Sequence, residues 1–297
     1  MNTRHRWLGF ALIALASTLW GINGTIAKLL FQRAVSPLFV VETRLFVTAV
    51  VLFTLLKRFR PRWLSLPMGR LPVVLLLGAV LGGVQFTYLF TVSQTNVATA
   101  VFLQYTSPVV LVAYLAWRGR EPIGLAHLAG VALCLAGGFL MVANSLRITP
   151  VGLASGIASA FFVAAYTVAA QQAGRYLHPW ACLAYGSAIG FLLWFFIAPP
   201  YTLPWPATSE EWWFLLYVAL FATLIPFGLY FLSLKYLPAA TVGIVSTLEP
   251  VVAALVAWLV LQEALTPGQM LGALSVIAGA LVVQLRSSGS SPESGHS

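Results

Sequence analysis

Three ionisable side chains stand inside long apolar stretches of this sequence: Glu42, Arg44 and Glu249. A charge placed in hydrocarbon is expensive, so such groups face a cavity, find a partner, or carry a ligand or a proton. Glu42 and Arg44 are two residues apart and point to different faces of a helix, which argues against their simply pairing with each other. Glu249 is the deepest of the three, roughly 16 Å into its helix at the α-helical rise of 1.5 Å per residue. Three roles fit it: binding a substrate amine, carrying a proton, or hydrogen-bonding a kinked backbone.

Glu249 belongs to a segment, Ser246-Thr247-Leu248-Glu249-Pro250, that has a counterpart in Gln104-Tyr105-Thr106-Ser107-Pro108. Each proline lacks an N–H and frees the carbonyl four residues earlier, at Gln104 and at Ser246. In mid-membrane an unpaired carbonyl is costly unless a cavity, water or a side chain satisfies it. Paired interruptions of this kind are a pointer to a transport site, although two ordinary packing kinks would look the same. Polar and aromatic residues gather at similar depth elsewhere: Trp20-Gly21-Ile22-Asn23-Gly24-Thr25, then Gln85, Phe86 and Tyr88, then Phe161, Phe162, Tyr166 and Thr167, and finally Pro226, Gly228 and Tyr230.

Together these suggest a small-ligand cavity with aromatic walls and a few polar anchors. The candidate substrate-binding residues are Trp20, Asn23, Gln85, Tyr88, Gln104, Tyr105, Tyr166, Tyr230, Ser246 and Glu249. The candidate helix breaks or gates are Gly21, Gly24, Pro108, Pro226 and Pro250. The plainer readings are that glycine only permits close helix packing and that Trp and Tyr only mark the membrane interface.

Enzymatic chemistry finds little to work with. His5, His127, His178 and His296 share no helix face with carboxylates at metal spacing, no phosphate-binding loop is present, and no nucleophile has an evident acid–base partner. Cys134 and Cys182 lie in apolar runs without a second thiol at metal spacing, so neither a disulfide framework nor a zinc site is expected. No catalytic residue, metal or cofactor is assigned.

The elements that must position these residues follow from composition. The 297 residues are 60% hydrophobic and 8% charged, against about 25% charged in soluble domains, so the chain cannot cover itself with a water-facing surface. A bilayer core needs about 20 apolar residues per helix, and such runs follow one another with short turns between them. Their continuity excludes a β-barrel.

Ten spans are predicted, near 7–30, 37–57, 71–92, 96–117, 124–144, 150–171, 179–198, 212–235, 239–262 and 267–285. The polar tail 287–297 is expected to be disordered. Arg4 and Arg6 before an apolar stretch could imitate a cleaved signal peptide, but the repeat described below requires that helix.

The formal charge of +9 marks topology, not a nucleic-acid partner. With the N-terminus in the cytoplasm, Arg4, Arg6, Lys57, Arg58, Arg60, Arg62, Arg70, Arg118, Arg120, Arg175, Lys235 and Arg286 lie inside, leaving Lys28, Arg33 and Arg147 near outer ends. Glu210 and Glu211 fall in an outer loop, and both termini are cytoplasmic.

A shift of 142 residues superposes Pro37 on Pro179, Tyr88 on Tyr230, Pro108-Val109-Val110 on Pro250-Val251-Val252, Glu121 on Glu263, Gly130 on Gly272 and Gly137 on Gly279. This reads as a duplication. Because each unit has an odd number of spans, the second copy enters the membrane inverted. The expected fold is an all-α integral membrane protein of ten transmembrane helices in two inverted five-helix repeats, 1–145 and 146–286.

Pro108-Val109-Val110 with Glu121 and Gly130, and Glu249-Pro250-Val251-Val252 with Glu263 and Gly272, resemble the doubled signature of EamA-type members of the drug/metabolite transporter superfamily. The resemblance spans 7–285. It implies a carrier of the bacterial inner membrane that exports amino acids, related metabolites or drugs through a path lined by helices 1, 3, 4, 6, 8 and 9. The ring-rich centre is most compatible with the aromatic amino acid branch. One departure is visible: Ser107 stands where the second half has Glu249, so charge-based coupling is lodged in one half, and proton exchange and passive flow both stay open. Alternatives are a multidrug exporter of the same fold, a non-transporting accessory subunit, or an intramembrane enzyme.

Overall fold

The structure, a computed structural model, describes residues 3–32, 35–119, 123–261 and 266–286; within these, side chains are described except at 3–4, 23–32, 68, 256–257, 260–261 and 285–286. Glu121, Glu263, Arg33 and the tail 287–297 lie outside the described residues, as do the side chains of Asn23 and Lys28.

Thirteen α-helices are found among the described residues: α1 (Thr3–Gln32), α2 (Pro37–Phe59), α3 (Leu71–Gln94), α4 (Val97–Gln104), α5 (Ser107–Trp117), α6 (Leu125–Val142), α7 (Pro150–Ala173), α8 (Pro179–Ile197), α9 (Ser209–Ala219), α10 (Ile225–Ser233), α11 (Ala239–Val245), α12 (Glu249–Leu261) and α13 (Pro267–Arg286). A turn at Tyr105–Thr106 joins α4 to α5, a π-helical stretch Leu220–Leu224 joins α9 to α10, and a 3-10 turn Ser246–Leu248 joins α11 to α12. Each junction is followed within two residues by a proline in the first turn of the next helix, a position that tolerates its fixed φ and missing N–H.

Eight runs among the described residues are long and apolar enough to cross a bilayer, and the protein is a multi-pass membrane protein. Its exterior matches: Phe46, Leu75, Phe161, Phe196, Leu259 and Leu274 face outward, as lipid permits and water does not. Helix ends agree with the sequence reading to within a few residues, with one correction. Glu210 and Glu211 are not in a loop. Thr208 Oγ1 accepts from the Glu211 N–H at 3.3 Å while Glu211 Oε2 accepts from Ala207 and Thr208, so this capping box starts α9 at Ser209 and buries Glu211.

The bundle is held at two principal contacts, α6 on α13 and α3 between α7 and α8. On the first, Gly137 and Gly272 face each other so closely that a Cβ on either would stand 2.5 Å from the other's carbonyl oxygen; Gly130 and Gly279 repeat the approach one level away. The pairing of 130 with 279 and of 137 with 272 makes the two helices antiparallel. Backbones this close gain dispersion contact that larger residues would forbid.

Candidate functional site

Between the interrupted helices lies a cavity of about 110 Å³, room for several water molecules. Its wall includes nine of the ten candidate binding residues, Trp20, Gln85, Tyr88, Gln104, Tyr105, Tyr166, Tyr230, Ser246 and Glu249, together with Arg44, Ser107, Phe227 and Ala222. The tenth, Asn23, lies outside the described side chains.

The aromatic wall is built from three helices. Trp20 of α1 meets Phe227 edge-on with ring centroids 5.1 Å apart and Tyr230 at 6.0 Å; Tyr166 of α7 packs on Phe227 at 5.8 Å and on Tyr230 at 5.5 Å. Such edge and tilted contacts align positive ring edges with negative faces and hold the rings in place. The Tyr230 and Thr167 hydroxyls share a hydrogen bond of 2.6 Å. Gln104 Nε2 donates to Ser159 Oγ at 2.9 Å.

Other polar groups are left over. Gln85 Nε2 and the hydroxyls of Tyr105 and Tyr166 are buried with no hydrogen-bond partner among the described residues. Tyr105 and Glu249 line the same cavity, and the Tyr105 hydroxyl makes no hydrogen bond among the described residues. Buried polar groups normally have partners, so unsatisfied ones around a single cavity mark where a ligand or water would sit.

At two of the proline breaks the structure shows which donors meet the carbonyl four residues before the proline. At Pro250 the 3-10 turn itself serves the Ser246 carbonyl, which accepts the Glu249 N–H and also Ser17 Oγ of α1 at 3.3 Å. Pro226 frees the carbonyl of Ala222, and there the partners are stronger: Trp20 Nε1 and Arg44 Nη2 both donate to it at 3.2 Å. Arg44 Nε donates to Thr223 Oγ1 at 2.6 Å, and Thr223 in turn bonds the Val218 carbonyl at 3.1 Å. The π-helical turn thus becomes a polar saddle on which the guanidinium rests. The sequence singles out Arg44 but does not place it in the site; Ala222, four before Pro226, marks a carbonyl in need of a donor without saying which side chain supplies it.

The glycines of α1 behave differently from the expectation that they break the helix. The helix runs through Gly21 and Gly24 without interruption. Gly21 instead permits close approach: a Cβ there would stand 2.7 Å from the Glu249 carbonyl oxygen and 2.9 Å from Val252 Cβ. A glycine within a helix costs only about 1 kcal/mol, too little to break one braced along its length by neighbours.

Two stretches of the chain, 7–143 and 150–285, match the EamA-like transporter family. The chain is 29% identical over 290 residues to an uncharacterized inner membrane transporter, YicL, of Salmonella typhimurium, covering 94% of this chain and 96% of that protein. It is 28% identical over 283 residues to the threonine/homoserine exporter RhtA of Escherichia coli, covering 93% and 90%. A solved crystal structure superposes with a TM-score of 0.79 at 18% identity, covering 97% of this chain and 99% of that one, which shows a shared fold. These relatives are transporters, and a transporter's partners are a small-molecule substrate and the surrounding lipid. By the extent of both family matches, the chain belongs to the EamA-like transporter family.

Proposed function

We propose that this protein is a secondary transporter that exports amino acids, aromatic ones among them, or related small metabolites by alternating access. The observation that carries the reading is the central cavity between the two interrupted helices, walled by aromatic rings and holding unpartnered polar groups. That a 28% identical relative exports threonine and homoserine supports amino acids as the substrate class. The ring wall of Trp20, Tyr166, Phe227 and Tyr230 suits an apolar or aromatic side chain.

Two inverted five-helix repeats, 1–145 and 146–286, making ten spans, are part of this proposal. The antiparallel glycine pairing of α6 with α13 supports it, since corresponding helices of inverted copies meet antiparallel. An inner-membrane location with both termini cytoplasmic is supported by charge: Arg70 lies over the Tyr176 ring at 4.0 Å, Trp63 stacks on His178 at 3.5 Å, and His5 approaches Tyr236, so the basic 57–70 and 175 segments, Lys235 and the N-terminus share one end of the bundle.

The test is uptake of labelled phenylalanine, labelled threonine and a cationic dye by proteoliposomes of the purified protein, with and without a pH gradient. Saturable amino-acid uptake is expected. Transport of the dye alone would move the reading to a multidrug exporter, and transport of none across a broader panel would remove the exporter reading.

A further inference from the structure

We propose that the central cavity is a zwitterion site, in which Arg44 and Gln85 bind the carboxylate of a free amino acid while Glu249 and Tyr105 receive its ammonium group. This rests on the exporter reading above and names how that site would choose its substrate.

The argument begins with charge. Arg44 is only 6% exposed, and two of its nitrogens are spent on Ala222 and Thr223, which are neutral. Among the described residues it has no ion-pair partner, yet it lines the cavity. A guanidinium within a bilayer with neutral partners alone is poorly compensated, and its planar fork still has N–H groups shaped for a carboxylate. Gln85, 2% exposed and on the same cavity wall, offers an amide Nε2 with no acceptor among the described residues. Two donors on this wall, one of them cationic, therefore have no carboxylate partner among the described residues.

The opposite requirement is met by Glu249. Glu249 lines the same cavity as Tyr105, and a carboxyl oxygen with a hydroxyl on the same wall suits an ammonium donor. Tyr88, Arg44 and Glu249 all line this one cavity, so the basic and the acidic side chain border the same space. An amino acid carries its own opposite charges on atoms joined through a single carbon. A simple amine would leave Arg44 unpaired, and a simple carboxylate would leave Glu249 unpaired, so a neutral zwitterion is the class that satisfies both ends.

The experiment is counterflow of labelled threonine and labelled phenylalanine in proteoliposomes, with unlabelled competitors of three kinds. These are the amino acid itself, its amino alcohol, in which the carboxylate becomes a hydroxymethyl group, and its N-acetyl derivative. The amino acid is expected to compete on the order of tenfold or more better than either analogue, since each leaves one buried charge unmatched.

Arg44→Gln and Gln85→Leu are expected to raise KM for the amino acid by a similar factor while leaving competition by the amino alcohol unchanged. A purely structural role for these residues would weaken both alike. Because Arg44 also braces the π-helical turn, the wild-type competitor series and Gln85→Leu decide the matter if Arg44→Gln fails to fold. If the amino alcohol is carried as well as the amino acid, the zwitterion assignment is overturned and the exporter reading stands. If no compound is carried, both fall.

Discussion

The helix α3 and the segment α9–α10 occupy corresponding places in the two family-matched stretches, and they solve opposite problems. A shift of 142 residues lays Gly78–Gly82 on Leu220–Leu224 and Val84 on Pro226. The first is one uninterrupted helix of 24 residues, whereas the second opens into a π-helical turn ahead of its proline. In α3 every mid-span carbonyl is spent within the helix, and glycines let α8 approach: Trp194 Nε1 donates to the Gly82 carbonyl at 3.2 Å. In α9–α10 the freed Ala222 carbonyl receives Trp20 and Arg44, and the Ala219 carbonyl receives Thr48 Oγ1 at 3.5 Å. One segment uses its backbone to pack; the other turns it toward a cavity. The two family-matched stretches differ most where they face that cavity, and the Ser107/Glu249 pair is the second instance.

Introducing the break where it has no partners gives the largest expected effect. Val84→Pro removes the N–H that bonds the Val80 carbonyl, and among the described residues no side chain donates to that carbonyl as Arg44 does to Ala222. A loss of about 3 kcal/mol or more is expected, read as a fall in the melting temperature of detergent-purified protein. Pro226→Ala, by contrast, returns an N–H to a carbonyl that already has donors. It should leave the melting temperature nearly unchanged and lower transport, because the turn presenting Arg44 loses its reason to open. Equal thermal loss in both variants would erase the contrast between the two segments.

Much of this contrast could be read from the residues before any coordinates. Pro108 and Pro250 mark the two short breaks because a missing N–H is a local fact, and the positions of Gln104, Tyr105, Ser246 and Glu249 around one cavity follow from equal depth in neighbouring spans. The fate of Arg44 is not local. It depends on which helix stands beside residue 222, and the spacing within α2 carries no information about that. Gly21 shows the converse: a glycine reads the same whether it loosens a helix or admits a neighbour, and only the 2.7 Å approach to the Glu249 carbonyl separates the two. Glu211 was misplaced for a similar reason, since a cap and a loop share the same residue types.

Arg44→Gln tests the next level. Hydrogen bonds to charged donors are worth about 1.5–3 kcal/mol, and the amide can recover only part of the contact with Ala222 and Thr223, so a loss of about 2 kcal/mol is expected in thermal unfolding. The informative measurement is the double variant with Pro226→Ala. If the turn exists to be held by Arg44, the loss should shrink once the proline is gone, with a coupling of about 1 kcal/mol. Strict additivity would mean that Arg44 stabilises something other than the π-helical turn.

The smallest expected change is at Trp20. Trp20→Phe removes one neutral donor from the Ala222 carbonyl and keeps an aromatic ring near Phe227 and Tyr230. Because Arg44 still donates to that carbonyl, the acceptor is not orphaned, and the cost should be about 1 kcal/mol. The same substitution in the Arg44→Gln background leaves the carbonyl far worse served, so its cost should rise above that figure. The order of these two losses separates a carbonyl shared by two donors from a tryptophan that only fills space: a filler would cost the same in either background.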